Sequence, residues 1–360
     1  MHFGPTDAQE RLRSRVRSFL AEVSPPTEVR RLMESEPGYD LDVWLRMAGD
    51  HDLHGLHLST DVGGSGLGWV EQAVVLEETG RVLLCAPYLA TVTAAPFLPD
   101  DVQAAVAGGL GIATLAVAEA SGRWDAGGIQ AQAVRSPGGG WRLEGEKSYV
   151  VDGCAADVLV VAARASGGDG VALFLVESGA PGLDRRPLAT VDLTRRQAAV
   201  RLSATPARAL GGSVGMAMDL SAVALAAEQV GGAGRALEMA VEHAGRRIQF
   251  GRPIGTFQAV KHLCADMLVD LECARSAAFY AALAATRTDS SELPIAAAVA
   301  KSCCSEAYVR VATDSLHVHG GLGFTWDHDA HLYFKRARSS RLLFGDPRRH
   351  REQLARRLGL

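Results

Sequence analysis

The segment RRIQFGRPIGTFQ, residues 246–258, decides how the last third of this 360-residue chain folds. It joins two long Ala-rich segments, 216–246 and 257–286, in which apolar residues recur at helical spacing. Its glycines and proline interrupt that spacing, so it is a short connection between helices. A third long helical segment follows at 295–317. Long helices joined by short connections pack antiparallel, which predicts a helical bundle over residues 213–360.

Upstream of the bundle, residues 111–212 have a different character. Short runs of β-forming residues alternate there with turns rich in Gly, Pro and Asp, such as those at 136–140 and 167–170. The predicted strands cover 129–134, 141–143, 148–151, 158–162 and 171–176. Several short strands at this spacing predict a compact β-barrel or sandwich.

Residues 1–110 have the pattern of a third, helical region. Thr6 and Gln9 have the spacing of a capping box, and apolar residues follow at helical intervals until two prolines at 25–26 end the helix. Further helices are predicted near 41–52 and 69–85. The order of helices, strands and helices indicates an α+β fold and not the β-α-β alternation of a doubly wound sheet.

Composition excludes several classes of function. The 37 Lys and Arg and 41 Asp and Glu give a net charge of −4, which removes the usual electrostatic basis for binding nucleic acid. No uninterrupted apolar run is long enough to span a membrane, and the N-terminus does not resemble a secretory signal. The six cysteines are scattered without a C-x-x-C pair, which is typical of reduced thiols. We therefore expect a cytoplasmic protein without a membrane partner.

Two parts of the bundle carry residues with binding chemistry. In segment 246–258, Arg and Gln side chains offer donors to a pyrophosphate, and Phe250 offers a face to an aromatic ring. A histidine group follows, with spacings that can ligate a metal: His317, His319, His328 and His331. No carboxylate or cysteine set accompanies it at convincing spacing. We therefore expect structural or cofactor hydrogen bonds from these histidines and no metal site.

Several motifs together resemble the acyl-CoA dehydrogenase family. They are RIQFGRPI at 247–254, the Phe-Gln pair at 257–258, HGGLGFT at 319–325 and the Gly-rich loop at 63–66. The resemblance covers nearly the whole chain. It implies a helical N-terminal domain over 1–110, a central β-barrel domain over 111–212 and a C-terminal four-helix bundle over 213–360.

The resemblance also implies a cofactor. The family binds FAD at a dimer interface, where one subunit holds the flavin ring and the substrate thioester, and the bundle of the other holds much of the ADP half. By position, the residues that should contact the nucleotide half of an FAD seated mainly in a neighbouring chain are Arg247, Gln249, Phe250, Gln258, His317, Gly320 and Gly321.

The positions that would serve a flavin in this chain's own site depart from the family pattern. The Thr-Glu-Pro-x-x-Gly-Ser-Asp segment reads AEASGRWD at 118–125, where Glu119 is plainly retained. Val151 stands where a Thr, Asn or Ser hydrogen-bonds the flavin ring. The family abstracts an α-proton from an acyl-CoA with a Glu, yet here Phe344 occupies the common Glu position and Ser221 the alternative one.

These departures predict a chain without a catalytic residue of its own. We expect the non-catalytic subunit of an α2β2 acyl-CoA dehydrogenase, possessing the trans half of a shared FAD site. A catalytic subunit would hold most of the acyl-CoA, a steroid side-chain thioester in the known heteromers, and an electron-transfer acceptor would reoxidise the flavin. Two alternatives stay open: a self-sufficient dehydrogenase or oxidase using Glu228, seven residues beyond Ser221 on the same helix face, and a non-enzymatic binding descendant.

Overall fold

A computed structural model describes residues 4–136, 138–167, 170–287 and 291–360. The predicted turns at 136–140 and 167–170 include Pro137, Gly168 and Asp169, which lie outside the described residues. Backbone contacts divide the chain into two compact units. The helical unit comprises the chain through Arg30, Trp69–Leu84 and Ala222–Leu360, and the barrel unit comprises Arg31–Gly68 and Cys85–Ser221. The domain boundaries at 110 and 212 stay a prediction.

The described helices and strands follow the predicted order. The helices are α1 (Asp7–Val23), α2 (Pro26–Glu34), α3 (Leu41–Gly49), α4 (Trp69–Arg81), α5 (Tyr88–Ala94), α6 (Asp100–Ala107), α7 (Val214–Arg246), α8 (Gln258–Thr286), α9 (Leu293–His319), α10 (Ala330–Leu342) and α11 (Pro347–Arg357). The strands are β1 (Ala113–Ala116), β2 (Gln132–Arg135), β3 (Trp141–Val151), β4 (Val158–Ala165), β5 (Val171–Glu177), β6 (Leu183–Pro187), β7 (Gln197–Ala209), β8 (Ile248–Gln249) and β9 (Arg252–Pro253).

The start of α1 confirms the predicted capping box. The Thr6 side chain accepts a hydrogen bond from the Gln9 backbone N–H at 3.3 Å, and Gln9 Oε1 accepts one from the Thr6 N–H at 2.9 Å. The helix ends at Val23, ahead of the two prolines. The prolines do not end helical structure altogether, because Pro26 begins α2 at a position where the missing N–H has no intrahelical acceptor.

In the helical unit, glycines allow α4 and α7 to touch backbone to backbone. A Cβ added to Gly231 would lie 1.7 Å from the Glu77 carbonyl oxygen, and one added to Gly80 would lie 2.0 Å from the Glu228 carbonyl oxygen. The buried carboxylate of Glu78 on α4 accepts hydrogen bonds from Arg17 of α1 at 2.7 and 2.8 Å. Glycine contacts therefore join α4 to α7, and an ion pair with a buried carboxylate joins α1 to α4.

The barrel unit contains a closed ring of five strands. β2 pairs with β3, β3 with β7, β7 with β5, β5 with β4, and the end of β4 pairs with β2. β1 pairs in parallel with the first half of β4, and β6 pairs with the first half of β7. The interior is filled by buried apolar side chains, among them Leu143, Leu159, Phe174, Val200 and Leu202. The predicted barrel is confirmed.

One strand prediction was wrong in detail. The runs at 141–143 and 148–151 belong to the single strand β3, which continues through Gly145 at φ +141° with a register shift against β7. A bulge of this kind lets a strand bend without ending. Strands β1, β6 and β7 have no counterpart among the predicted runs.

None of the described helices contains a stretch long and apolar enough to cross a membrane.

Candidate functional site

The α7–α8 connection forms a strained hairpin. Gln249 pairs with Arg252, and the two residues between them, Phe250 and Gly251, have φ of +52° and +76°. Two central residues with positive φ are typical of a type I′ turn, in which glycine is comfortable and phenylalanine costs about 1 kcal/mol or more. The Phe250 ring is 91% exposed. Strain that presents an aromatic ring without packing it is characteristic of a binding surface.

The base of the hairpin is organised by a second aromatic ring. Phe257 lies 6.1 Å from Phe250 in an edge-on arrangement, and the Arg252 guanidinium lies 4.2 Å from the Phe257 centroid. The sequence predicted only a general donor role for the Arg side chains of this segment, and the cation–π contact of Arg252 with Phe257 is seen only in the structure. The side chains of Arg247, Gln249 and Gln258, on the same connection, are exposed.

The α9–α10 connection exposes backbone. Gly320 ends α9 at φ +62°, and a Cβ added to Gly320 or Gly321 would meet no other group within 4 Å. His317 is also on the surface, with its ring Nδ1 3.5 Å from Asp314 Oδ1 and a side chain that is 64% exposed. Open glycine backbone beside a surface imidazole leaves room for a ligand to approach the main chain closely.

A ring contact brings the two connections to the same end of the helical unit. His243, in the last turn of α7, lies 4.6 Å from the buried ring of His319 at the end of α9. Among the described residues, no group of His, Cys, Asp and Glu has an arrangement that could hold a metal ion. The chemistry assembled here is therefore exposed Arg and Gln donors, open glycine backbone and a presented aromatic ring. This donor set fits a pyrophosphate and an adenine ring.

The position that the sequence resemblance aligns with the family's catalytic Glu holds a hydrocarbon side chain in a fixed turn. Phe344 is 3% exposed and adopts a φ of +58°. Its carbonyl oxygen accepts a hydrogen bond from His350 Nε2 at 2.9 Å, and burial lowers the pKa of His350 to about 4. No proton acceptor stands at this position.

A buried lysine stabilises the helix end that precedes this turn. Lys301 Nζ donates to the Ser340 and Arg341 carbonyl oxygens at 3.2 Å each, and to Ser305 Oγ at 2.9 Å. These carbonyls belong to the last turn of α10, which lacks intrahelical donors for them. Burial lowers the pKa of Lys301 to about 7. The lysine therefore caps α10 and fixes where the Phe344 turn begins.

The two alternative positions for a base, Ser221 and Glu228, make structural hydrogen bonds. Ser221 Oγ donates to the Ala217 carbonyl at 2.7 Å within the helix, and the side chain is buried. Glu228 Oε1 accepts from Arg336 Nη1 at 2.6 Å, with the two residues 5% and 2% exposed. Proton uptake by Glu228 would remove a negative charge that lies 2.6 Å from a buried guanidinium, which is strongly unfavourable. The geometry makes Glu228 a structural ion-pair partner.

In the barrel unit, the retained Glu119 serves the fold. Its carboxylate accepts from Lys147 Nζ at 2.8 Å and from the backbone N–H groups of Gln130 and Ala131 at 2.9 Å. Burial alone would raise the pKa of Glu119, but these donors lower it. Val151 is 3% exposed and offers no side-chain donor. Sequence reasoning missed Lys147, whose partner is 28 residues away.

Family models match nearly the whole chain. The N-terminal domain of acyl-CoA dehydrogenase matches residues 6–98, the middle domain 114–202 and the C-terminal domain 212–359. Acyl-CoA dehydrogenase IpdE2 of Mycobacterium tuberculosis is 36% identical over 344 residues, covering 96% of this chain and 95% of that protein. IpdE2 of Mycolicibacterium smegmatis is 35% identical over 351 residues, covering 98% of each.

Solved structures agree with this assignment. A variant of the Tcur3481-Tcur3483 steroid ACAD has a TM-score of 0.91 at 31% identity and covers 98% of both chains. The ChsE4-ChsE5 complex from Mycobacterium tuberculosis has a TM-score of 0.90 at 31% identity, covering 100% of this chain and 99% of that one. The fold predicted from the sequence motifs is confirmed. This chain belongs to the acyl-CoA dehydrogenase family.

Proposed function

We propose that this chain is the non-catalytic subunit of a heteromeric, FAD-dependent acyl-CoA dehydrogenase. The observation that carries the proposal is Phe344, a buried hydrocarbon side chain in a fixed turn, at the position that the sequence resemblance aligns with the family's base. α,β-Dehydrogenation of an acyl-CoA requires a basic atom within hydrogen-bond reach of the α-carbon. The phenyl ring of Phe344 has no basic atom.

The other positions that could serve a substrate in the same chain support this assignment. Ser221 has its hydroxyl bonded within the helix, and Glu228 is paired with buried Arg336. Val151 cannot donate to a flavin ring. No observation in the described residues favours a self-sufficient enzyme over a subunit that depends on a partner for proton abstraction.

The end of the bundle, in contrast, retains residues suited to bind the nucleotide half of an FAD. Arg247, Gln249 and Gln258 would donate to the pyrophosphate of an FAD seated mainly in the partner, and Phe250 would face its adenosine side. Gly320 and Gly321 would let the backbone approach the same group, with His317 beside them. When bound, FAD supplies the hydride acceptor of the family's reaction. The residues of this chain bind and orient its nucleotide half and move no proton.

The relatives support a heteromer. One solved structure is described as a complex of ChsE4 and ChsE5, and another as a steroid ACAD. By analogy we propose an α2β2 assembly with half the FAD of a homotetramer, acting on a bulky acyl-CoA such as a steroid side-chain thioester. The catalytic subunit would hold most of the acyl-CoA, and an electron-transfer acceptor would reoxidise the flavin.

The test is the ratio of FAD to protein, measured for this chain alone and co-expressed with an acyl-CoA dehydrogenase encoded beside it. We expect colourless chain alone, and a yellow complex with one FAD per heterodimer that reduces a dye when acyl-CoA is added. Yellow chain alone with acyl-CoA-dependent dye reduction would overturn the proposal. Absence of a stoichiometric flavin complex with any family partner would favour a non-enzymatic descendant.

A further inference from the structure

Three imidazole rings, one from the end of α7 and two from the α9–α10 region, form a tilted stack at the end of the helical unit. His319 lies at the centre, 4.6 Å from His243 and 4.3 Å from His328 between ring centroids. His319 is 5% exposed. The stack joins the end of α7 and the end of α9 to the residues just before α10. It therefore links the Gly320–Asp329 connection to the ends of α7 and α9.

Hydrogen bonds to the backbone define the protonation of two of these rings. His319 Nδ1 lies 2.7 Å from the Ser315 carbonyl oxygen, so this nitrogen carries the proton. His328 Nδ1 lies 3.1 Å from the Ala330 nitrogen and accepts its N–H, so this nitrogen must be unprotonated. Asp329, the N-cap residue of α10, makes no side-chain cap. His328 therefore supplies the acceptor at this helix start, and it can do so only when neutral.

The charges around the stack also oppose protonation. Burial is the largest cause that lowers the pKa of each of the three histidines, and each of His243 and His328 is further affected by its neighbours. The cations facing them are Arg247 for His243, and Arg30 and Arg235 for His328. Asp329 acts in the opposite sense but is itself paired with Arg30 at 2.7 Å. A proton on His328 would also place positive charge at a helix N-terminus.

We propose that His328, which contacts His319 and through it His243, is a positioning residue that holds the Gly320–Asp329 connection only while its ring is neutral, so that acid releases the connection. The connection carries Gly320 and Gly321, and in this respect the inference deepens the proposed function. The shared site would then bind the nucleotide half of FAD less tightly at acid pH. The release itself depends on this chain alone.

The stability of the connection should depend on pH through the linked protonation of these histidines. Because folding lowers these pKa values, the stabilising contribution is complete above the ordinary histidine pKa and is lost as pH falls below it. Protection of the connection should therefore weaken as the pH falls from about 7.5 to about 5.

The test is hydrogen–deuterium exchange of the full chain without flavin, with exchange times adjusted for the pH dependence of the intrinsic rate. Peptides covering 319–330 should lose protection at acid pH, while those from the middle of α9 should not. In His328→Asn, an amide oxygen still accepts the Ala330 N–H but does not titrate. This variant should keep more of its acid-state protection. His262→Asn, an exposed histidine on α8, serves as the control and should behave like wild type.

His328→Phe retains a ring but has no acceptor, and it should lose protection at neutral pH as well. Protection that is independent of pH in the wild type would overturn the proposal, as would His328→Asn losing protection to the same extent as wild type. The FAD content of the partner complex tests the shared site separately. If exchange shows the expected acid-dependent loss of protection but no flavin complex forms, the role of the neutral ring is supported and only the proposed function is contradicted.

Discussion

Replacing Glu228 with Gln separates a structural carboxylate from a catalytic one. The variant leaves the Arg336 guanidinium, 2% exposed, without the charge that lies 2.6 Å from it. Removing one partner of a buried ion pair typically costs 3–5 kcal/mol, and Gln keeps an acceptor, so we expect a loss of about 3 kcal/mol. For a unit of this size, the melting temperature should fall by about 6 °C or more. Dye reduction by the partner complex should keep its kcat.

Calorimetry of the full chain and steady-state assay of the partner complex supply the two readouts. Glu306→Gln is the matched control, because Glu306 pairs with Arg351 at a similar 2.7 Å but on the surface, where such pairs contribute about 1 kcal/mol or less. The double variant Glu228→Leu with Arg336→Met should recover most of the stability. An unchanged melting temperature in Glu228→Gln, or a stable variant with normal FAD content and no dye reduction, would refute the structural role.

Two further changes test the bundle end and the helix contacts. Arg247→Ala should lower the FAD content of the partner complex several-fold without changing its assembly, whereas Arg338→Ala, exposed on α10, should retain full flavin; equal flavin in both variants would contradict the binding role. Gly231→Ala should destabilise the chain by several kcal/mol in denaturant unfolding, because its Cβ would lie 1.7 Å from the Glu77 carbonyl. Gly49→Ala, whose Cβ would meet no group within 4 Å, should be neutral or stabilising, and similar unfolding midpoints for the two would rule out the close-contact explanation.

The long helices could be predicted closely because their signal is repeated many times. The segments 216–246, 257–286 and 295–317 became Val214–Arg246, Gln258–Thr286 and Leu293–His319. Over seven or more turns, one unusual residue does not obscure the apolar period. The same reasoning missed α2, because a proline pair signals an end and a beginning equally well.

The strands were less predictable because their stability depends on distant partners. β3 passes through a stretch of charged residues at 144–147, where Lys147 is fully buried against Glu119. A local pattern reads such a stretch as a loop, since the carboxylate that makes burial possible comes from elsewhere in the chain. β7 is rich in Ala and polar residues and contains a proline, so its β propensity is weak.

In the candidate site, too, residues in one short motif could be predicted from the sequence, whereas contacts between distant residues could not. The hairpin residues were found from one short motif, but the contact of Arg252 with Phe257 required its folded geometry. The histidines were grouped by closeness in the sequence, whereas the structure stacks His319 and His328 with His243. Bundle packing brings α7 to them across more than seventy residues of chain, and no local spacing encodes that.

The exposed turn at Phe250 has a consequence for how such a chain must be made. Its ring is 91% exposed, and two more aromatic side chains of the helical unit, Phe324 and Trp326, are 67% and 57% exposed. Aromatic surface of this extent promotes unspecific association when left uncovered. If this chain is a subunit of the proposed heteromer, copies made in excess over the partner would leave these aromatic side chains uncovered and would aggregate. Matched synthesis of the two chains would then prevent aggregation.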